Sequence, residues 1–369
     1  MARPRPKVVF LGALPPPYMG PTLATEVILG SRLRERFELI HLDTSDHRDI
    51  DTLGALDFMN IYLALKAYVD LIGLLVRHWP DIVYIPISQT TVGYLKDSGF
   101  VLISKLFGRK VICHLRGGNF GNWFASASPL TRWYVRKVHG MVDGQIVLGQ
   151  NLKRIFAGIL PESKLHVVPN GKDIAYGDKP PRGQRVRLLY LANMIPTKGA
   201  MDVLQAVEQV TRRCPDVEFV FCGGWSDPGF RTSIEAFLEA HPHLPIRWLG
   251  KLHGTAKSDV INSSDIFLFP TYYPPEGHPW VVVEAMAAGL PIISTDQGAI
   301  VESVIDGRNG FIVAKQNPAE LAEKTIRLIE DTQLRERMGT ESRRLYEEAF
   351  TEERMVERLA FALNAVIAA

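Results

Sequence analysis

Cysteine is scarce in this sequence: there are three in 369 residues, at positions 113, 214 and 222, and they share no C-x-x-C spacing. This usage argues against a disulfide framework or a zinc site and indicates a reducing compartment. Low-complexity tracts and short-period repeats are absent. The N-terminal apolar run "VVFLGAL" is short and ends in three prolines, so it predicts a first buried strand rather than a signal peptide.

Long apolar runs free of charge are also absent. The most apolar helix candidate, residues 60–76, contains Lys66 and Asp70, so we expect a core helix and not a membrane span. We expect the protein to be cytoplasmic.

Net charge is small, +2, but unevenly distributed. Residues 1–185 hold 24 Lys/Arg against 15 Asp/Glu, whereas residues 186–369 hold 18 against 25. A basic first half indicates contact with an anionic surface or substrate. Chance scatter of surface charge explains the same numbers, and both interpretations stay open.

Short β-branched runs alternate with helical patterns along the chain, which predicts parallel sheets covered on both faces. The predicted strands are 7–12, 37–42, 81–86, 110–115, 144–149, 165–169, 186–192, 217–224, 245–250, 265–270, 291–295 and 310–314. Residues 170–185 are rich in Gly, Pro and charge, which predicts a linker between two domains. The sequence therefore predicts two doubly wound α/β domains, with ligands bound at the strand ends that face a cleft between them.

The stretch "PPEGHPWVVVEAMAAG" (274–289) follows a predicted strand and starts a helix. Pro279 suits a first helical turn and Gly289 a helix end, so N–H groups near 278–281 would form an anion site. Glu276 precedes that helix start, and Glu284 lies inside the helix among apolar neighbours, where a carboxylate needs a partner. Two acceptors beside an anion site suit a nucleotide sugar, although Glu284 could instead pair locally on a surface helix.

Three further segments place polar groups at strand ends. Lys198, between a strand and a helix, can reach a phosphate as a point charge. Gly20 allows close backbone approach to a ligand, but it lacks the other glycines of a dinucleotide fingerprint. His114 and Arg116 follow the fourth strand, where a lone histidine has either a structural or a functional role. No cofactor is expected.

A metal-dependent site would need a D-x-D after an apolar strand. Asp49 and Asp51 have this spacing but lie in a polar loop, so no metal is expected. Basic and aromatic residues interleave in 130–140 and lie near the basic segment 105–110. These segments could rest on anionic lipid or be solvated helix faces, and both interpretations stay open.

Taken together, these segments resemble the retaining family-4 glycosyltransferases of the GT-B fold, a group that includes bacterial polysaccharide and lipid-linked glycan enzymes. The resemblance covers nearly the whole chain, and residues 275–313 carry its most specific part. Segments 167–173 and 190–199 are similar to the family's domain-joining and phosphate-binding segments. The implied domains are 1–175 on the acceptor side, 186–345 for the donor, and a C-terminal helix in 346–369 that crosses back to the first domain.

The resemblance also implies roles for individual residues. Glu276 would contact the donor sugar, Glu284 the ribose hydroxyls and Lys198 the diphosphate. Gly20 would bring a backbone N–H to the phosphates, and His114 would lie near the transferred sugar.

The chain departs from the family pattern at two places. Asn193 stands where an arginine is common, so a phosphate ligand is missing or is supplied by Arg116. The turn Gly277-His278-Pro279-Trp280, whose backbone would meet sugar hydroxyls, is also changed, which leaves the sugar open.

The resemblance implies a metal-independent retaining transferase that moves a sugar from a UDP- or GDP-linked donor to a saccharide or lipid-linked acceptor. We expect catalytic roles for Glu276, His114 and Lys198. Two alternatives are a nucleotide-sugar epimerase on the same fold and a non-catalytic nucleotide-sugar-binding protein. A peripheral position on the inner face of the membrane is expected if the basic half meets lipid, and nucleic acid is not an expected partner.

Overall fold

The computed structural model describes residues 5–45, 58–177, 179, 183 and 185–369. The chain divides into two compact units. The first unit comprises Met1–Lys172 and Glu352–Ala369, and the second comprises Asp173–Thr351. The predicted Asp49/Asp51 pair lies outside the described residues.

The first unit is built on a six-stranded parallel sheet in the order β2-β1-β3-β4-β5-β6. Its strands are β1 (Lys7–Gly12), β2 (Glu38–Asp43), β3 (Ile82–Ile87), β4 (Lys110–Leu115), β5 (Gly144–Val147) and β6 (Leu165–Val167). The strands read as continuous apolar runs because both faces of the sheet are covered. Val9, for example, lies opposite Ile40 on one side and Val83 on the other.

Helices cover both faces of this sheet. They are α1 (Gly20–Gly30), α2 (Leu33–Arg36), α3 (Phe58–His78), α4 (Thr91–Leu106), α5 (Phe120–Ser126), α6 (Pro129–Gly140) and α14 (Glu352–Ala368). Strand β2 lies on one side of β1, and β3 to β6 follow in order on the other side. Because the crossovers are right-handed, α1 lies on one face of the sheet and α3, α4 and α6 lie on the other. Helix α14 packs on β3, β4, β5 and α2, opposite the α3–α4–α6 layer.

Helix α3 differs from the predicted core helix. Only a narrow stripe of its side chains is buried, at Ala67, Leu71 and Leu75. By length and composition it is the one helix in the described ranges that could cross a membrane, with a mean hydropathy of 1.6 in its most apolar window and 11% of that window buried. The prediction of a core position is therefore wrong, because an apolar sequence all around a helix does not say which sides are covered.

The second unit has its own six-stranded parallel sheet in the order β12-β11-β10-β7-β8-β9. Its strands are β7 (Val186–Leu191), β8 (Val217–Cys222), β9 (Ile246–Gly250), β10 (Ile266–Phe269), β11 (Ile292–Ser294) and β12 (Gly310–Ile312). Its helices are α7 (Ala200–Arg213), α8 (Pro228–Ala240), α9 (Gly254–Asn262), α10 (Trp280–Ala287), α11 (Ile300–Ser303), α12 (Pro318–Glu330) and α13 (Thr332–Ala349). Alternate strand residues enter two apolar cores, with Leu188 and Phe219 on one face and Leu189 and Val220 on the other.

The two central strands of the second sheet, β7 and β10, are neighbours, and the chain leaves them in opposite directions. The loops that follow them therefore diverge at a topological switch point, where doubly wound sheets bind ligands. These loops carry Lys198 and Glu276. The predicted linker is anchored in part, because Ile174 donates its N–H to Tyr346 Oη at 2.9 Å.

Candidate active site

Two loops at the carboxyl edge of the second sheet are joined by direct hydrogen bonds. The Tyr272 N–H donates to the Thr197 carbonyl at 2.8 Å, and Tyr272 Oη donates to the Pro196 carbonyl at 3.3 Å. Gly199 has φ +83°, and a Cβ there would lie 2.3 Å from the Pro270 carbonyl oxygen. Only glycine fits this close approach, which holds the loop after β7 against the loop after β10.

The contact between these loops places Lys198 beside Glu276. The Lys198 ammonium forms an ion pair with the Glu276 carboxylate, and the two side chains are only 14% and 9% exposed. Thr271 Oγ1 donates to the same carboxylate at 3.3 Å, and the Tyr273 ring lies 4.4 Å from the Lys198 ammonium. Two predicted site residues, 78 positions apart in sequence, therefore share one partly enclosed site.

The turn that carries Glu276 and Gly277 is fixed from behind by Gly298. A Cβ on Gly298, which has φ +59°, would lie 2.5 Å from the carbonyl oxygens of both Glu276 and Gly277. The next residue, Ala299, donates its N–H to the Gly277 carbonyl at 2.7 Å. The position of the turn thus depends on a glycine that is 22 residues further along the chain.

Helix α10 begins at Trp280 with Pro279 as its N-cap, and Gly289, at φ +65°, follows its C-terminal end. The prediction of a helix between these signals is confirmed. His278 is buried: its Nε2 lies 2.6 Å from Ser303 Oγ, and its ring packs 5.1 Å from that of Phe350. The His278 side chain therefore packs into the second unit, which leaves the backbone of this turn as the part suited to ligand contact.

Glu284, on the second turn of α10, pairs with a lysine that the sequence did not single out. The Lys257 ammonium lies 2.7 Å from Glu284 Oε1 and 2.6 Å from Oε2. Tyr176 Oη donates to the Glu284 carbonyl at 3.3 Å and holds the same turn. A partner for this carboxylate was expected, but a lysine on α9 carries no motif that would identify it. Both glutamates of the stretch 274–289 are thus paired with lysines.

Asn193, at the end of β7, is exposed. The adjacent backbone continues the sheet pairing, because the Met194 N–H donates to the Gly224 carbonyl at 2.8 Å. The Asn193 side chain therefore lies at the solvent side of the loop that carries Lys198.

The predicted residues of the first unit lie around a buried tyrosine. His114 on β4 is 1% exposed, and its Nδ1 lies 2.7 Å from Tyr84 Oη. The Arg116 guanidinium donates to the same Tyr84 oxygen at 2.8 Å and to Asn170 Oδ1 at 3.3 Å. Burial, and secondarily the Arg116 charge, lower the pKa of His114 well below its usual range. This histidine is therefore a neutral group with a fixed ring.

The Nε2 atom of His114 is buried without a hydrogen-bond partner among the described residues. A buried unpaired ring nitrogen is costly, so it is a candidate contact for a ligand group. Gly20 is the first residue of α1, whose N-cap Met19 donates its N–H to Thr22 Oγ1 at 3.0 Å. Gly20 therefore lies at a helix N-terminus at the carboxyl edge of the first sheet, as predicted from its place in the sequence.

The fold matches solved glycosyltransferase structures along the whole chain. The chain superposes on Anabaena HepE in complex with UDP and glucose with a TM-score of 0.74 and 18% identity, covering 98% of this chain and 100% of that one. Sucrose-phosphate synthase from Thermosynechococcus elongatus gives a TM-score of 0.74 at 14% identity, covering 99% and 100%. The fold is that of the GT-B glycosyltransferases, which confirms the predicted class.

Residues 176–345, nearly all of the second unit, match the family model described as glycosyl transferases group 1. The similarity to this family therefore lies in the unit that carries Lys198, Glu276 and Glu284. A phosphatidyl-myo-inositol mannosyltransferase of Mycolicibacterium smegmatis is 29% identical over 207 residues, covering 54% of this chain and 52% of that protein. The capsular polysaccharide glycosyltransferase CapM of Staphylococcus aureus is 27% identical over 176 residues, covering 47% and 45%. The chain spans about half the length of the curated relatives it matches.

Proposed function

We propose that this protein is a retaining glycosyltransferase that moves a hexose from a nucleotide-sugar donor to a saccharide or lipid-linked glycan acceptor. The observation that carries the proposal is the pair of glutamates, Glu276 and Glu284, each bonded to a lysine in the unit whose residues 176–345 match the group 1 glycosyl transferase model. Carboxylates accept hydrogen bonds from sugar and ribose hydroxyls, and lysines bind phosphate, so the site offers both chemistries that such a donor needs.

The donor binds across the carboxyl edge of the second sheet in this proposal. Glu284 takes the ribose, and the start of α10, with the backbone of Gly277, His278, Pro279 and Trp280, faces the diphosphate and the sugar. The first N–H groups of a helix lack intrahelical acceptors, and the helix dipole favours an anion there. UDP is the first nucleotide to test, since HepE is a solved complex with UDP and glucose.

Lys198 and Glu276 act on the reacting centre. When the glycosidic bond to the diphosphate breaks, negative charge grows on the leaving phosphate and positive charge on the anomeric carbon. Lys198 stabilises the first charge, and Glu276 holds the sugar beside the second. The donor phosphate takes the acceptor proton on the face from which it leaves, which retains the anomeric configuration.

The first unit supplies the acceptor side in this proposal. His114, neutral through burial, offers its Nε2 to a ligand hydroxyl, and Arg116 and the N–H of Gly20 offer groups that favour an anion. Asn193 adds a neutral contact where relatives of this kind often carry an arginine.

Catalysis needs no metal in this proposal, because lysine and helix N–H groups stabilise the leaving diphosphate. Transfer is expected to continue in EDTA. Loss of transfer in EDTA, restored by manganese, would contradict metal independence and direct attention to Asp49 and Asp51.

The proposal is tested by incubating the protein with UDP- and GDP-linked hexoses and a panel of saccharide and lipid-linked acceptors, with detection of the released nucleoside diphosphate. The anomeric configuration of the product, read by NMR, tests retention. Lys198→Ala is expected to lower turnover about 10²- to 10³-fold. Lys324→Ala, on α12 and ion-paired with Glu323, is the matched control and should leave turnover unchanged. Conversion of the donor sugar without acceptor would instead indicate an epimerase, and donor binding without any turnover a binding protein.

A further inference from the structure

Helix α3 carries a second apolar stripe on the side that faces away from the sheet. Its buried stripe is Ala67, Leu71 and Leu75. The outward stripe, rotated by about half a turn, consists of large exposed side chains: Phe58, Ile61, Tyr62, Leu65, Val69, Ile72 and Val76. Phe58 is 93% exposed and Val69 is 67% exposed. Single exposed apolar residues are ordinary, but a continuous stripe along a 21-residue helix marks an interaction surface.

The apolar surface continues onto the neighbouring helices of the same face. Tyr68 of α3 packs against Phe100 of α4 with ring centroids 4.8 Å apart, and its hydroxyl donates to the Lys96 carbonyl at 2.7 Å. Ser98 of α4 hydrogen-bonds Tyr134 of α6 at 2.9 Å. Outward residues of α4 and α6 are also large and exposed: Val92, Leu95, Leu102, Leu106, Leu130 and Trp133. We call this three-helix surface the α3–α4–α6 face.

Positive charge borders the α3–α4–α6 face. Helices α3, α4 and α6 together contain seven Lys/Arg and two acidic residues, Asp70 and Asp97. Arg136 and Lys137 are exposed on α6. At the end of α3, Trp79 is 61% exposed, and the Arg109 guanidinium lies 4.0 Å from the centre of its ring. Tryptophan is common at membrane–water interfaces, and arginine can cover apolar surface with its stem while its charged group reaches the headgroups.

The topology fixes how α3 would meet a bilayer. The chain enters α3 after β2 and leaves it into β3, and both strands run parallel in one sheet. The helix therefore runs back along the sheet, and its inner stripe remains packed on the first unit. A helix held in this way lies in the membrane plane with its outer stripe in the interface and does not cross the bilayer.

We propose that the α3–α4–α6 face seats the protein on an anionic lipid bilayer. The excess of basic residues beside the apolar stripes favours this occupant over a second copy of the chain, because a neutral apolar interface would not need the charge. The inference stands apart from the proposed sugar transfer, since it rests on exposed side chains of the first unit.

Co-sedimentation of the full chain with vesicles, without any donor, tests the proposal. We expect binding to vesicles of phosphatidylcholine with about 30% phosphatidylglycerol, weaker binding to phosphatidylcholine alone, and a loss of binding as salt rises. The triple variant Leu65→Ser, Val69→Ser, Ile72→Ser is expected to lower the partition coefficient at least tenfold. Arg136→Gln with Lys137→Gln should lower binding to the anionic vesicles severalfold and leave binding to phosphatidylcholine unchanged.

Phe361→Ser is the matched control, because Phe361 is 71% exposed on α14, across the sheet from α3. It should bind vesicles like the unaltered protein, and circular dichroism should show all variants folded. The proposal is overturned if the unaltered protein stays in the supernatant with anionic vesicles. Equal loss of binding in Phe361→Ser and in the triple variant also overturns it, as does a lipid-independent dimer that the triple variant dissociates.

Discussion

Replacing Glu276 by glutamine is expected to tighten the binding of UDP while it slows sugar transfer. The substitution keeps the shape of the side chain and an acceptor for Thr271, but removes the negative charge that contacts the Lys198 ammonium. Without that charge, Lys198 is released to the diphosphate. Turnover falls because the contact between the carboxylate and the sugar, which strengthens in the transition state, is lost.

The size of the binding effect follows from the geometry of the ion pair. A diphosphate oxygen bonded to the same ammonium would lie within about 6 Å of the carboxylate, because each of the two N–O contacts is about 3 Å. At an effective dielectric constant of about 40 to 80, two unit charges at that separation repel by about 0.7 to 1.4 kcal/mol. Removing the charge should therefore lower the Kd for UDP about three- to tenfold. Turnover should fall about 10²-fold or more.

Calorimetry with UDP and a coupled assay for released UDP measure the two effects on one preparation. Glu284→Gln is the comparison, because it removes a ribose contact that UDP makes without any sugar, and it should raise the Kd about threefold or more. The unpaired lysine in Glu276→Gln should also lower the melting temperature by a few degrees, so binding is measured well below the transition. Weaker UDP binding in Glu276→Gln, or unchanged turnover, would refute the assignment of the Lys198–Glu276 pair.

Three further predictions concern single side chains. Lys257→Ala should raise the Kd for UDP about three- to tenfold, because the Glu284 carboxylate loses the partner that holds it in place. Lys257→Arg should keep most of the affinity. Calorimetry that finds the Kd of Lys257→Ala unchanged would show that the Lys257–Glu284 pair has no part in binding. Gly298→Ala should destabilise the protein and lower turnover, because its Cβ would displace the carbonyls of residues 276 and 277. Gly307→Ala is the control, because Gly307 has φ +72° but no atom within 4 Å of a Cβ, so denaturant unfolding should show only the cost of backbone strain. Equal decreases in the free energy of unfolding would argue against a role for the close contact at Gly298. The free energy of unfolding should decrease from pH 7 to pH 5, because burial lowers the pKa of His139 to about 4 and lowers that of His114 well below its usual range, so the unfolded chain binds more protons. Each histidine contributes at most about 1.4 kcal/mol per pH unit. Denaturant titrations of His139→Gln should show a shallower decrease than those of the unaltered protein, and an equal slope would contradict the prediction.

The strands of both sheets could be predicted because parallel strands that are buried on both faces have continuous apolar sequences. Runs such as "VVFLG" and "IFLFP" are apolar at every position, which is the pattern of strands covered on both faces. The glutamates of 274–289 and Lys198 could be identified because each lies beside a helix start after such a strand. The contact between Glu276 and Lys198 is consistent with that placement, whereas the roles of all three residues in donor binding stay predictions.

Other features depend on contacts that no local pattern encodes. Lys257 meets Glu284 only because α9 and α10 are neighbours in the folded unit, and its surrounding sequence is that of an ordinary exposed helix. Tyr84 joins His114 to Arg116 from the neighbouring strand β3, and nothing in the apolar run around it indicates that contact. Helix α3 was misplaced because its two apolar stripes together resemble the all-round apolarity of a buried helix.

The return of α14 to the first unit has a consequence for how the polypeptide is made. Strands β3, β4 and β5 pack against this helix, which buries Leu359 and Leu363, and Gly144 of β5 lies so close that a Cβ would be 2.5 Å from Val366. During synthesis these strands leave the ribosome some 200 to 270 residues before α14 does. The part of the first sheet that α14 covers therefore stays exposed while the second unit, continuous in sequence, has all its strands available to fold. Exposed apolar surface of this kind is prone to aggregation and is what chaperones bind, so we expect the nascent first unit to need such protection until α14 has been made.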